Sequence, residues 1–144
     1  MKKTILFLIF TLCFTNLIGC TKENGSGKLS KEQQQYEYTG ETLKIAIVGN
    51  EKKLARFKNV SFHLRKLEEL VNGEEPFDAL IVTKEGFKEA DKEEYVAFFN
   101  EVKYPVFFYG INGISDSAFL EKNRTIEQAR INSETYIKGY VNTE

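Results

Sequence analysis

Leu43-Lys44-Ile45-Ala46-Ile47-Val48-Gly49 is a near-continuous aliphatic run that ends in glycine, the pattern of a strand buried on both faces of a parallel sheet. Ala79-Leu80-Ile81-Val82-Thr83 repeats it. Val106-Phe107-Phe108-Tyr109-Gly110 repeats it again, with Pro105 at its start, where a missing N–H is tolerated. Between the second and third runs, Tyr95, Phe98, Phe99 and Val102 fall at i, i+3, i+4 and i+7, which predicts an amphipathic helix with one aromatic face. Asp91, with Glu94 three residues on, reads as its N-cap. The passage from Val82 to Val106 is therefore a βαβ unit, with the right-handed crossover such units adopt.

Working outward, Leu64, Leu67, Leu70 and Val71 predict a second amphipathic helix that stops at Asn72-Gly73. Before it, residues 51–57 read as a short helix and residues 59–62 as a brief strand beside the first, at one edge of the sheet. After Gly110, residues 117–130 are expected to be helical, with Phe119, Leu120, Ile126 and Ile131 as the apolar positions, and residues 135–141 to close the sheet. The pattern predicts one α/β domain over residues 43–144. Its architecture is a small three-layer, doubly wound and mostly parallel sheet of flavodoxin-like or Rossmann-like type.

In open α/β sheets, ligands bind beyond the carboxyl ends of the strands. The residues there are Asn50 after the first strand, Thr83 at the end of the second core strand, and Asn112, Ser115 and Asp116 in the loop after Gly110. These five are the candidate ligand-binding residues. The simpler reading is that the glycines turn the chain and that Ser115, Asp116 or Ser117 caps the next helix. A concave pocket at these loops would favour a small-molecule binder or a minimal enzyme. A flat apolar or tyrosine-rich face elsewhere would favour an interaction domain.

Chemical signatures are absent. The first strand is followed by Gly49-Asn50-Glu51-Lys52-Lys53, with no Gly-x-Gly-x-x-Gly phosphate cradle and no acidic cluster. No Gly-x-Ser-x-Gly elbow occurs. The single histidine, His63, has no second histidine with which to share a metal and reads as structural. No catalytic residue, cofactor or metal is expected.

The N-terminus carries a different message. Behind Lys2 and Lys3 comes an apolar run from Ile5 to Ile18, and then Leu17-Ile18-Gly19-Cys20. The run is shorter than the roughly 20 apolar residues that a spanning helix needs. It has the three regions of a secretory signal, and its end resembles the bacterial lipoprotein signal. That resemblance implies cleavage after Gly19, a diacylglyceryl thioether on Cys20, and anchorage of the mature chain on the extracytoplasmic face of the cell membrane. Residues 1–19 are then a signal peptide, and residues 20–42 a lipidated end and flexible tether, polar and glycine-bearing.

Loss of residues 1–19 removes two of the 20 basic residues and none of the 21 acidic ones, leaving 18 against 21 and a formal charge of −3. A nucleic-acid partner is not expected from that balance. Cys13 departs with the signal and Cys20 carries lipid, so the folded body holds no thiol and no disulfide. Expected partners are the membrane, through Cys20, and a protein at the cell surface. Tyr36, Tyr38, Tyr136 and Tyr140 lie outside the core pattern and are candidates for an exposed patch.

Overall fold

The computed structural model describes residues 38–143. The expected lipoprotein signal, Cys20, and the expected tether as far as Glu37 lie outside the described residues. The domain is a five-stranded, mostly parallel α/β fold. Its strands are β1 (Leu43–Val48), β2 (Val60–Leu64), β3 (Ala79–Thr83), β4 (Val106–Tyr109) and β5 (Ile137–Tyr140), in the spatial order β2-β1-β3-β4-β5. β1 is parallel to β2 and β3, and β3 to β4, while β4 and β5 are antiparallel. The first four strands follow the flavodoxin-like order, with its reversal between β1 and β3. The edge strand expected over residues 59–62 is present as Val60–Leu64.

Register assigns the faces, because paired residues point the same way and successive residues alternate. One face carries Ala46, Val48, Leu80, Val82, Val106 and Phe108, all buried. Against it pack the helices α1 (Leu67–Asn72), α2 (Phe87–Ala90), α3 (Val96–Glu101) and α4 (Ser117–Leu120), through Leu67, Leu70, Phe87, Ala90, Phe99, Ala118 and Phe119. Phe108 stacks on Phe119 with ring centroids 4.4 Å apart and meets Phe99 at 5.7 Å. Of the foreseen aromatic face, Tyr95, Phe99 and Val102 belong to the core, while Phe98 is only partly buried against it.

The opposite face carries Ile45, Ile47, Ile81, Phe107, Tyr109 and Ile137. None of them belongs to the helix-side core cluster. Because β2 lies on one side of β1 and β3 on the other, connections of one hand cross opposite faces. The β1–β2 connection, with its 3-10 turn Glu51–Lys53, therefore forms the third layer, and on this side Ile47 is fully enclosed. Toward β4 and β5 the face opens: Phe107 is 38% and Ile137 51% exposed.

Four local expectations are corrected. Residues 51–57 form only that one 3-10 turn, since Leu54 already has extended backbone. Leu64 belongs to β2 rather than to α1, and it and Val71 are exposed. Asp91 is no N-cap: it closes the end of α2, its N–H donating to the carbonyl of Phe87 at the start of that helix, and its carboxylate accepts from the Ile126 N–H at 2.8 Å. A 3-10 turn, Glu93–Tyr95, leads into α3 instead. The helix expected over residues 117–130 stops at Leu120, because Glu121 is extended and Asn123 adopts φ 57°. Ala129 behind it is buried, whereas Ile131 is 47% exposed.

α1 ends where foreseen, for a different reason. Gly73 is extended rather than left-handed, but a Cβ there would stand 2.6 Å from the Glu69 carbonyl oxygen. At its start, the Leu67 N–H donates to the Glu89 carboxylate of α2 at 2.8 Å and the Lys66 N–H to the helix's own Glu69 carboxylate at 3.3 Å, so a remote and a local side chain share the capping. β5 runs antiparallel because the loop after β4 returns to the same end of the sheet. Gly110 N–H donates to the Tyr136 carbonyl at 2.8 Å, and the chain can only run back from there.

Candidate functional site: the carboxyl ends of the strands

The crevice between β1 and β3 is where a fold of this order would hold a ligand, and here the chain closes it on itself. Gly49 takes φ +110°, which turns β1 sharply at its end. The Asn50 N–H then donates to Thr83 Oγ1 at 2.8 Å, and Thr83 is fully buried. Asn50 Oδ1 accepts from the Lys52 N–H at 3.0 Å and so caps the 3-10 turn. On the other side, a Cβ on Gly86 would lie 2.7 Å from the Val48 carbonyl oxygen, so backbone meets backbone across the crevice. Asn50 and Thr83 are brought together, and each is engaged within the chain.

Ser115 and Asp116 also come together, with Ser115 Oγ donating to Asp116 Oδ1 at 3.4 Å. Ser115 Oγ in turn accepts from the Ser117 N–H at 3.3 Å and from Ser117 Oγ at 3.0 Å. Lys138 Nζ donates to Asp116 Oδ1 at 2.6 Å. Asp116 thus puts a carboxylate where an anion would sit. α4, at four residues, has too few aligned peptides for a useful dipole. Asn112 is exposed. The sequence reading missed Lys138; its alternation with Tyr140 along β5 is the signal that sets both on the helix side.

Tyr140 is no surface tyrosine. Its hydroxyl donates to the Phe99 carbonyl at 2.8 Å, and burial pushes its pKa well above the usual tyrosine range, with Asp116 adding to the effect. Tyr136 does match the expectation of exposure, at 51%, and its ring meets Tyr109 edge-on at 5.0 Å. Tyr36 lies outside the described residues.

His63 has a serine neighbour, but no nucleophile results. Ser61 Oγ donates to the Leu43 carbonyl at 3.1 Å, and His63 Nε2 lies 3.3 Å from the same oxygen. A hydroxyl has one proton. With that proton on Leu43, the imidazole is the donor to Ser61 rather than the base that would activate it. Among the described residues no three histidine, cysteine, aspartate or glutamate side chains are grouped to hold a metal, and no buried side-chain polar atom lacks a partner. No helix among them is long and apolar enough to cross a membrane.

A cleft of about 310 Å³ lies away from the strand-end loops, lined by residues that include Arg65, Leu70, Glu75 and Phe77. Glu75 is bonded to Lys44 Nζ, and to Arg65 at 2.9 Å. Both cations sit over the Phe77 ring, at 5.2 and 5.8 Å from its centroid. The hydrogen bond from Lys44, and then that from Arg65, hold the Glu75 carboxyl at about 2, from an ordinary 4.5. A carboxylate whose pKa is lower folded than unfolded stabilises the fold above its unfolded pKa, and that stabilisation disappears as pH falls through the folded one. Thermal midpoints of the wild type and Glu75→Gln should therefore differ at pH 6 and converge toward pH 2. The pair is solvent-exposed, so the difference should also shrink with salt. A gap that persists unchanged at pH 2 would show that charge on Glu75 is not its source.

No protein-family model matches the chain, and no curated protein or solved structure matches it significantly.

Proposed function

We propose that this chain is a bacterial lipoprotein whose α/β domain is held at the extracytoplasmic face of the cell membrane as a non-catalytic interaction module. The observation that carries the second half is the use of Asn50, Thr83, Ser115 and Asp116 inside the chain, beside an open apolar sheet face. A catalytic or small-ligand site needs convergent polar groups left available in a concavity. Asn50, Thr83, Ser115 and Asp116 at the strand ends are engaged within the chain, and the exposed apolar surface lies elsewhere.

The first half rests on Leu17-Ile18-Gly19-Cys20 and the apolar run before it. A diacylglyceryl group on Cys20 supplies two chains, each contributing about 0.8 kcal/mol per buried methylene, enough for firm anchorage without a second signal. The test is Cys20→Ala in the full chain, expressed in a bacterium fed a labelled fatty acid. The wild type should carry label and sediment with membranes. The variant should carry none, and should either leave the membrane fraction or persist as uncleaved precursor. A variant that is cleaved, labelled and retained like the wild type would overturn the anchor.

A further inference from the structure

We infer that the uncovered half of the sheet, formed by β3, β4 and β5 on the side away from the helices, is the face through which two copies of this chain pair. This rests on the interaction-module reading and names its surface and partner; it does not depend on the lipid anchor. Parallel strands normally lie in sheets covered on both faces. Here Phe107 is 38%, Ile137 51%, Tyr136 51% and Val141 48% exposed, with Ile81 and Tyr109 partly exposed between them. Together they amount to several hundred Å² of apolar surface, at the upper end of what monomers leave in contact with water. A standard interface buries roughly 800 Å² per partner, of which little more than half is apolar, so an exposed apolar patch of this order is what such a pairing requires.

Two features favour a second copy as the occupant. The patch centre bears no charged side chain, because Lys138 on β5 turns to the helix side and is held by Asp116. A two-fold pairing places a surface against itself, so an uncharged patch meets its copy without like charges in opposition. At the middle of the patch the Phe107 ring lies down across β5, where a Cβ on Gly139 would stand 2.5 Å from it. Flat sheet faces pack on one another at about 10 Å with interdigitated side chains.

The test places a photo-crosslinking benzophenone amino acid at Ile137 of the full chain in its producing cell, with the exposed Lys88 of α2 as the control position. The expected product from Ile137 is an adduct of twice the chain mass, whose fragments map β5 of both copies, and no such adduct from Lys88. Phe107→Glu sets carboxylates into the pairing face and should cut the adduct about tenfold or more. Val141→Glu, at an exposed rim position, should do the same if Phe107→Glu proves unstable. An adduct with another protein or with lipid, no adduct, or a dimer unaffected by both variants would overturn the proposal. Failure of the anchor reading would show separately, as the same dimer recovered outside the membrane fraction.

Discussion

Phe108→Ala should destabilise the domain by about 3–5 kcal/mol, the range for deleting a fully enclosed aromatic ring. Phe108 has no solvent exposure and is the common neighbour of Phe87, Phe99, Phe119 and Tyr140, at centroid distances of 6.3, 5.7, 4.4 and 6.2 Å. These rings come from β5 and from α2, α3 and α4, so the cavity would open where the sheet and three helices meet. Relaxation into it would require elements on both sides of the core to shift together, and for that reason the upper part of the range is expected. Domains of this size have total stabilities of about 5–15 kcal/mol, and each kcal/mol moves the midpoint by roughly 4 °C or more. Thermal and urea unfolding of the full chain would read the loss. A fall of less than about 1 kcal/mol, well below the range for buried aromatics, would mean that the ring cluster is not the centre of the core. Phe107→Ala, one residue away and facing the other side, should cost distinctly less, because that ring is already 38% exposed.

Gly49→Ala should be the most damaging single methyl in the chain, at about 3 kcal/mol or more. Part of that is backbone strain, of order 1–3 kcal/mol for a side chain held at φ +110°. The rest is collision: the new Cβ would stand 2.7 Å from the Gly86 backbone nitrogen and closer still to Thr83 Oγ1. Moving Thr83 aside would break the bond it accepts from the Asn50 N–H and leave a donor unpaired, which by itself costs about 1–3 kcal/mol. The readout is the unfolding midpoint together with hydrogen exchange at the Asn50 amide, which should lose protection. A variant with wild-type stability and unchanged exchange would mean that the end of β1 has room, and the crevice would again be open to a ligand.

Much of the fold was legible along the chain. β1 and β3 announce themselves as aliphatic runs because a strand covered on both sides is apolar at nearly every position, and β4 reads the same way although its outer face is left open at Phe107. The aromatic face of α3 was legible from helical spacing, and the edge strand β2 from its short apolar alternation. What misled was a signal with two uses. Asp91 has the spacing of an N-cap, yet its carboxylate serves a backbone N–H 35 residues away, a partner no local pattern reveals. Residues 117–130 carry apolar positions at nearly helical intervals, but Asn123 takes the left-handed conformation and divides them. The candidate residues were correctly located at the strand ends. Their availability was not legible, since Thr83 is engaged by Asn50 across the sheet and Asp116 by Lys138 from β5.

The sequence by itself determined the α/β class, the three core strands, the aromatic packing face and the lack of thiol chemistry in the folded body. All of these follow from residue type and short-range periodicity. The tertiary structure alone decided that β5 runs antiparallel, that the β1–β3 crevice is filled by its own loops, and that an apolar sheet face stands open beside β4. Each depends on which groups meet across tens of residues. Hydrogen-bond satisfaction and close packing are properties of the assembled neighbourhood, and no single segment encodes its partners.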